Sequence, residues 1–145
     1  MRTVEDILNK KGADVAAVAR DAAVIEAARI MNERRIGALV VTAGDQVVGI
    51  FTERDVMNRV VAANRSAETT KVADVMTSPC ACCRSDTTVE ECRNVMTEKR
   101  IRHLPVVDAG RLRGMISIGD LMAAEAAQRQ QTIEYLHEYL YGRTR

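Results

Sequence analysis

The stretch Gly114-Met115-Ile116-Ser117-Ile118-Gly119-Asp120 is the most informative part of the chain, because it joins a strand to a helix. Met115 and Ile116 close a short buried strand, and Ser117 and Asp120 open the helix that runs into the following alanines. A hydroxyl and an acid at this spacing can cap a helix by satisfying free backbone N–H groups. The same groups can also bind a ligand, because a carboxylate accepts both hydroxyls of a ribose and helix N–H groups suit a phosphate.

The same pattern occurs earlier in the chain, as Gly49-Ile50-Phe51-Thr52-Glu53-Arg54-Asp55. Aligning the two stretches at one constant offset matches the chain from Asp21 to Met122 without a gap. The matched pairs include Asp21/Asp86, Val24/Val89, Glu26/Glu91, Met31/Met96, Glu33/Glu98, Arg35/Arg100, Ile36/Ile101, Leu39/Leu104, Val41/Val106, Gly49/Gly114, Asp55/Asp120 and Met57/Met122. The chain is therefore an internal duplication. A cap explains one such motif, but its recurrence in both copies favours a functional role.

These motifs resemble a tandem pair of cystathionine β-synthase (CBS) domains, also called a Bateman module. The pieces that carry the resemblance are Val72-Ala-Asp-Val-Met-Thr77, Ile101-Arg-His-Leu-Pro-Val-Val-Asp108 and Gly114-Met-Ile-Ser-Ile-Gly-Asp120. Weaker counterparts in the first copy are Ile36-Gly-Ala-Leu-Val-Val41 and Gly49-Ile-Phe-Thr-Glu-Arg-Asp55, and the resemblance spans roughly residues 3 to 125. It implies a regulatory module that binds adenine nucleotides or related molecules and has no catalysis of its own.

The order of elements in each copy, strand–helix–strand–strand–helix, predicts an α+β fold of two intertwined CBS repeats about a pseudo-two-fold axis. We expect repeat 1 at residues 1–64, a linker at 65–71, repeat 2 at 72–127 and a C-terminal helical tail at 128–145. The first strands of the repeats are predicted at residues 15–19 and 80–84. Because each copy alone would bury little apolar surface, we expect the two halves to share one core.

A pseudo-two-fold pair presents two clefts, and the resemblance implies that both repeats contribute to each. The Asp55 cleft is expected to contain Thr52, Arg54, Asp55, Cys80, Cys82, Arg102, His103 and Pro105. The Asp120 cleft is expected to contain Val15, Ala16, Val18, Gly37, Ala38, Ile116, Ser117 and Asp120. The resemblance implies that the base lies between apolar side chains, the ribose contacts the aspartate and the phosphates point towards cations.

The two clefts are not equivalent in charge. Repeat 2 has Arg102 and His103 where repeat 1 has Gly37 and Ala38, so the Asp55 cleft is expected to complement phosphate better, helped by Arg54. Each cation also has an ordinary explanation: a solvated charge for the arginines, and a hydrogen-bonded structural residue for the histidine. The Asp120 cleft is expected to have less local charge and more room, so that it binds either a phosphate through backbone amides or a ligand with little net charge.

Composition excludes several functional classes. The net charge of +1 and the 3% of aromatic residues argue against duplex and single-stranded nucleic acid as partners. No apolar run approaches the roughly 20 residues of a membrane span, and the first residues lack a signal-peptide core, so a cytoplasmic protein is expected. With two histidines, no visible nucleophile–base pair and no Gly-rich nucleotide motif, we predict that the chain is not an enzyme and has no catalytic cofactor.

All four cysteines, Cys80, Cys82, Cys83 and Cys92, lie in the second repeat. A metal site is disfavoured because adjacent cysteines in a strand face opposite sides and no further ligand pair completes a tetrahedron. We expect reduced, small apolar core residues. A redox sensor based on these thiols is the alternative.

The predicted function is a sensor that binds AMP, ADP or ATP and signals to an unidentified effector protein. NAD(H) or S-adenosylmethionine could replace these ligands, because both carry the same adenosine. A module that binds no ligand and only contacts partners is a further alternative. The apolar residues of the tail, Ile133, Leu136 and Leu140, fall on one helical face before Gly142, so this helix either folds back onto its own domain or forms the contact of a homodimer.

Overall fold

The computed structural model describes residues 2–12 and 14–141 as a mixed α+β protein. Repeat 1 contains α1 (Val4–Lys11), β1 (Ala17–Ala19), α2 (Val24–Arg34), β2 (Ala38–Ala43), β3 (Gln46–Thr52), α3 (Glu53–Asp55) and a π-helix (Val56–Val61) that continues α3. Repeat 2 contains α4 (Val72–Val75), α5 (Val89–Lys99), β4 (His103–Asp108), β5 (Arg111–Ser117) and α6 (Ile118–Tyr141). The predicted α+β class is confirmed, and the order helix–strand–strand–helix recurs in both repeats.

The two hairpins have the same register and the same irregularity. Ala38 pairs with Thr52 in repeat 1, and His103 pairs with Ser117 in repeat 2. Each hairpin also shifts register near its turn, between Val41 and Thr42 or between Val106 and Val107. The duplication thus extends to the hydrogen-bond pattern, and it places the hydroxyl of each motif at the end of a strand, beside the first residue of its partner strand.

The predicted strand at residues 80–84 was wrong. In repeat 1, β1 runs parallel to β2 and pairs with it over three residues. In repeat 2, the segment that corresponds to β1 makes one isolated parallel bridge, from Cys83 to Val106 of β4. The next two backbone N–H groups, of Arg84 and Ser85, donate to the side chains of Thr87 and Asp108 instead of to a strand. Because local side-chain acceptors compete with a ladder, the second sheet keeps two strands and the first has three.

The expectation of one shared core was also wrong, because the buried residues form two clusters. Val4, Ile7 and Leu8 of α1 pack into the core of repeat 2. Val72 and Val75 of α4 pack into the core of repeat 1. The two repeats therefore exchange their first helices, and each core is complete only when the other repeat supplies its helix.

Backbone hydrogen bonds hold both exchanged helices in place. The N–H of Val4 donates to the carbonyl of Thr87 at 2.9 Å, and the N–H of Val72 donates to the carbonyl of Ala22 at 2.9 Å. The four residues occupy equivalent positions in the duplicated arrangement. The first helix of each repeat is thus bonded to the segment that precedes the main helix of the other repeat.

The C-terminal tail is the last part of α6, a helix of 24 residues that is continuous from the Asp120 motif. Residues 128–141 are all exposed, so the interpretation in which the tail folds back onto its own domain was wrong. The predicted stop at Gly142 lies outside the described residues. Within residues 2–12 and 14–141, none of the helices has the length and apolar character needed to cross a membrane.

Candidate functional site

Both aspartate motifs form the reciprocal cap that their spacing predicts. The N–H of Asp120 donates to Ser117 Oγ at 3.2 Å, and the N–H of Ser117 donates to Asp120 Oδ2 at 2.8 Å. The corresponding distances between Thr52 and Asp55 are 3.2 Å and 3.0 Å. Capping is therefore confirmed in both repeats. It engages Oδ2 of each carboxylate and fixes the orientation of the Oδ1 atom.

The Asp55 carboxylate is buried, with 5% of the residue exposed, and it has partners from repeat 2. The hydroxyl of Thr77, just beyond α4, donates to Oδ1 at 3.1 Å and to Oδ2 at 3.3 Å. Arg59 places Nε 3.7 Å from Oδ1, one turn along the π-helix. Asp55 thus bonds to one neutral hydroxyl and has one guanidinium beyond hydrogen-bond distance.

The Asp120 carboxylate has a different partner, the ammonium group of Lys11. Lys11 Nζ donates to Asp120 Oδ2 at 2.8 Å and to the Met115 carbonyl at 2.9 Å. Burial raises the pKa of Asp120, but the hydrogen bonds from Lys11 and Ser117 outweigh it and lower that pKa overall. Asp120 is therefore ionised at neutral pH and already has a counter-ion.

A cavity of about 690 Å³ lies beside the Ser117 motif. It is lined by Lys11, Asp14, Val15, Ala16, Arg34, Arg35, Ile36, Gly37, Ala38, His103, Met115, Ile116 and Ser117. It thus brings together six of the residues predicted for the Asp120 cleft. Asp120 instead lines a neighbouring cavity of about 110 Å³, and Lys11 lines both.

The second cleft is a cavity of about 610 Å³ beside Asp55. It is lined by Gly37, Thr52, Glu53, Arg54, Asp55, Met57, Asn58, Arg59, Thr77, Arg100, Ile101, Arg102 and His103. Five of the residues predicted for this cleft are present, including Arg54 and both strand-end residues of repeat 2. Gly37 and His103 were each predicted for one cleft, and they line both cavities because they lie on the wall between them.

Four predicted site residues lie elsewhere. Val18 is buried in the core of repeat 1, and Pro105 is buried in β4, where its carbonyl accepts from the N–H of Cys83. Cys80 and Cys82 contact each other, with 3.8 Å between their sulfur atoms. Neither cysteine lines the Asp55 cavity, because residues 80–82 do not form the strand that was expected to place their side chains there.

The Asp120 cleft contains cations that the strand ends did not indicate. Its cavity is lined by Lys11, Arg34 and Arg35 against one carboxylate, that of Asp14. The lysine ends α1, and the two arginines end α2. Comparison of the strand ends alone missed them, because helix termini from other parts of the chain converge on this cavity. The Asp55 cavity is lined by four arginines, Arg54, Arg59, Arg100 and Arg102, against the carboxylates of Glu53 and Asp55, so the Asp120 cavity has fewer charged side chains.

The arginines that follow α2 and α5 are equivalent in the duplication and share an uncommon backbone conformation. Arg35 and Arg100 both have φ of 54°, in the left-handed region that usually favours glycine. Arg35 lines the 690 Å³ cavity and Arg100 lines the 610 Å³ cavity. Their recurrence at one aligned position was a signal in the sequence that could have identified both as cleft residues.

His103 lies between the clefts and is partly buried. Burial lowers the pKa of His103. The positive charges of Lys11 and Arg102 lower this pKa further, and the negative charges of Glu53 and Asp120 oppose the shift. The imidazole is therefore neutral at neutral pH, so it can donate one hydrogen bond and accept another. The hydroxyls that share a cavity with His103 bond to the aspartate motifs. Those of Ser117 and Thr52 accept from the N–H of the aspartate three residues on, and that of Thr77 donates to Asp55. No cluster of metal-binding side chains occurs within residues 2–12 and 14–141.

Comparison with known proteins identifies the family. The CBS domain model matches residues 4–62 and 72–127. A mitochondrial CBS domain-containing protein of Arabidopsis thaliana, CBSX3, is 33% identical over 149 residues, which cover 97% of this chain and 72% of that protein.

Solved structures agree with this assignment. The CBS-domain containing protein ATU1752 from Agrobacterium tumefaciens superposes with a TM-score of 0.80 at 40% identity, covering 85% of this chain and 98% of that one. The hexameric CBS-CP12 protein from bloom-forming cyanobacteria has a TM-score of 0.74 at 27% identity, covering 83% of this chain and 70% of that one. The chain therefore belongs to the CBS-domain family and contains two copies of the domain.

Proposed function

We propose that the chain is a regulatory module that binds adenine nucleotides, AMP, ADP or ATP, in its two clefts and signals to a partner protein. The observation that carries this proposal is the repeated pairing of a capped aspartate motif with an adjacent cavity lined by several cations. Volumes of about 690 and 610 Å³ fall within the range of small-molecule sites.

Each part of a nucleotide has a suitable chemical partner in these clefts. A ribose diol suits an aspartate carboxylate, and a phosphate suits guanidinium and ammonium groups. In the Asp120 cleft, Val15, Ala16 and Ile116 offer apolar surface to a base. NAD(H) and S-adenosylmethionine share the adenosine, so they are the alternative ligands, and the positive charge near both aspartates favours ligands that carry phosphate.

The test is isothermal titration calorimetry of the reduced protein with AMP, ADP, ATP, NAD and S-adenosylmethionine. We expect saturable binding of at least one phosphate-containing ligand and at least tenfold weaker affinity when Asp55→Ala and Asp120→Ala are combined. Asp45→Ala, in the exposed hairpin turn of repeat 1, is the matched control. Unchanged affinity in the double variant, or no binding across the panel by ligand-stripped protein, would refute the proposal.

We further propose that the module self-associates through α6 as a homodimer in the cytoplasm. Ile133, Leu136 and Leu140 are 60%, 49% and 65% exposed, a larger apolar face than an isolated surface helix usually presents. The hexameric relative supports assembly as a property of this fold. Changing the three residues to Gln should yield a monomer in sedimentation velocity, whereas Gln130→Ala on the same helix should leave the assembly unchanged.

A redox sensor is a second candidate function, supported by the pair Cys80 and Cys82. Cys83 and Cys92 are buried, as expected for core residues, but Cys82 is exposed and Cys80 is half-buried, so the core interpretation was wrong for this pair. A hydrogen bond from the Cys80 thiol lowers the pKa of Cys82 to about 7, while that contact and burial raise the pKa of Cys80. A thiol with this pKa is substantially thiolate at neutral pH.

Alkylation distinguishes this candidate. Iodoacetamide should modify Cys82 faster than the other cysteines, with a rate that rises through about pH 7, and Cys80→Ala, which removes the hydrogen-bond donor, should move that midpoint upwards. Peptide mass spectrometry measures each rate. Equal rates for Cys82 and a thiol in the unfolded chain at pH 7 would exclude the redox candidate and leave nucleotide sensing untouched.

A further inference from the structure

We propose that Lys11 is a phosphate-recognising residue of the Asp120 cleft, and that its ammonium group transfers from the Asp120 carboxylate to the phosphate of an entering nucleotide. This inference rests on the proposed function and assigns to one cleft a selectivity that the aspartate motif alone does not provide. Lys11 lies outside the duplicated motifs, and its contact with Asp120 joins residues 109 positions apart.

Lys11 is shared by the 690 Å³ cavity and by the small cavity that Asp120 lines. The ammonium bonds to Asp120 Oδ2 and to the Met115 carbonyl, and the N–H of Ser117 also donates to Oδ2. A ribose diol that engages both oxygens of the carboxylate therefore competes with the ammonium for Oδ2 and displaces it.

Displacement alone is unfavourable, because it leaves an ammonium group without its partner. A phosphate in the cavity removes that penalty, since Lys11 can bond to the phosphate while the hydroxyls take the carboxylate. Lys11 ends α1, and its long stem lets the ammonium reach either acceptor. Arg34 and Arg35 line the same cavity and add to the positive potential there.

The Asp55 cleft lacks this arrangement. Its aspartate accepts a bond from the neutral hydroxyl of Thr77, and the nearest cation, Arg59, is 3.7 Å away. The helix equivalent to α1 is α4, which stops at Val75, so the first helix of repeat 2 ends before a position like that of Lys11. We therefore expect the Asp120 cleft to discriminate between a nucleotide and a nucleoside more strongly than the Asp55 cleft does.

The experiment measures binding of AMP and adenosine by calorimetry in the full chain carrying Asp55→Asn, which leaves one functional cleft, and in parallel in the wild-type chain. The variants are Lys11→Met, which keeps the stem and removes the charge, and Lys11→Arg, which restores a cation. The matched control is Lys99→Met, because Lys99 is exposed and ends α5 as Lys11 ends α1. Circular dichroism and thermal melting verify that each variant folds.

Lys11→Met should weaken AMP binding about tenfold and leave adenosine binding equal or tighter, because the competitor for Asp120 is gone. Lys11→Arg should recover most of the AMP affinity, and Lys99→Met should match the parent. An unchanged ratio of AMP to adenosine affinity in Lys11→Met would overturn the role of Lys11 while leaving the proposed function intact. If wild-type protein binds neither compound nor any nucleotide, both proposals fail.

If Asp55→Asn or Lys11→Met does not fold, the salt dependence of AMP binding to the wild-type and Lys11→Gln chains provides the decision. Salt weakens an ionic contact with phosphate, so the affinity of the wild-type chain for AMP should fall as salt rises from about 50 to about 200 mM. The affinity of Lys11→Gln should fall less over the same range, because that contact is gone. Identical salt dependence in the two chains would overturn the inference.

Discussion

The Asp55 and Asp120 clefts have the same backbone frame and different electrostatics. Both place a hydroxyl and an aspartate in a reciprocal cap at a strand end, with equivalent hairpin registers behind them. The carboxylate of the first bonds to the Thr77 hydroxyl, whereas that of the second bonds to the Lys11 ammonium. A duplicated motif therefore fixes where the two carboxylates lie, and the exchanged segments that pack against it determine how each carboxylate is compensated.

A second difference between the clefts lies in the helices that follow the aspartates. After Asp55 the chain continues as a π-helix, Val56–Val61, which places Arg59 near the carboxylate and bonds it to the Met76 carbonyl at 2.7 Å. After Asp120 the chain continues as one long α-helix. π-Helical turns are rare and often occur near functional sites. The two clefts therefore differ in the helix that follows the aspartate as well as in the partner of the carboxylate.

The largest effect is expected from the equivalent glycines of β3 and β5. A Cβ at Gly49 would lie 2.7 Å from the backbone carbonyl of Thr77, whereas a Cβ at Gly114 would lie 2.7 Å from the side-chain end of Leu8. The backbone at Thr77 cannot move without breaking its two hydrogen bonds with the backbone of Ile50, whereas the side chain of Leu8 can change its rotamer. Gly49→Ala should cost about 3 kcal/mol of unfolding free energy and Gly114→Ala about 1 kcal/mol, as measured by urea denaturation. Equal losses would contradict the contrast between a backbone and a side-chain neighbour.

Next in size is the loss of each aspartate. Asp55→Ala should destabilise the protein by about 2 kcal/mol, because it removes the acceptor of the Thr52 N–H, one half of the reciprocal cap, and leaves the partly buried Thr77 hydroxyl without its acceptor. Asp120→Ala should cost about 1 kcal/mol, since Lys11 is exposed enough for water to replace its partner. Urea denaturation of both variants measures the difference, with Asp45→Ala as the control. A larger loss for Asp120→Ala would reverse this ranking.

A smaller effect is expected from removing the counter-ion of Asp120. Lys11→Met should raise the pKa of Asp120, because the ammonium hydrogen bond that lowers it is lost. The lowered pKa contributes stability above the unfolded value of about 4, and this contribution disappears as pH falls through the folded value. The variant should therefore lose less stability than the wild type on acidification below about pH 4. Carboxyl NMR titration measures the pKa, and a value unchanged from that of the wild type would show that the ion pair does not persist in solution.

The smallest effect concerns His103, which belongs to both clefts. Burial lowers the pKa of His103, so the folded state resists protonation of the imidazole. The neutral imidazole contributes its full stability above the unfolded pKa of about 6.5, and this stability is lost as pH falls through the folded pKa. His103→Gln should therefore show a shallower fall of melting temperature from pH 7 to about pH 5 than the wild type. His137→Gln, on the exposed tail, is the control. Parallel curves for His103→Gln and the wild type would exclude this contribution.

Local sequence patterns predicted much of the fold and part of the site. The Ser117 and Asp120 cap, the two hairpins and the main helix of each repeat depend on neighbours within a few residues, and all were confirmed. The strand at residues 80–84 was wrong because the backbone donors at Arg84 and Ser85 found side-chain acceptors. The tail was left between two alternatives because its apolar face is equally compatible with intramolecular and intermolecular packing.

Two residues missed in the clefts, Thr77 and Lys11, reach the aspartates from a distant part of the chain. Thr77 contacts Asp55 across 22 positions, and Lys11 contacts Asp120 across 109. Neither contact has a local spacing that a motif could reveal, and both depend on the exchange of α1 and α4 between the repeats. The arginines after α2 and α5 were accessible in principle, since the duplication aligned them before their backbone conformation was known.

The order of residues was sufficient to establish the duplication, the α+β class, the family and the positions of both aspartates at helix starts. These features follow from short-range hydrogen bonding and from the periodicity of apolar side chains, which a linear pattern records. The two separate cores, the cationic lining of the Asp120 cleft and the different partners of the two carboxylates required the folded chain. They arise from packing between segments far apart in sequence, where the free energy depends on which surfaces meet and not on which residues are adjacent.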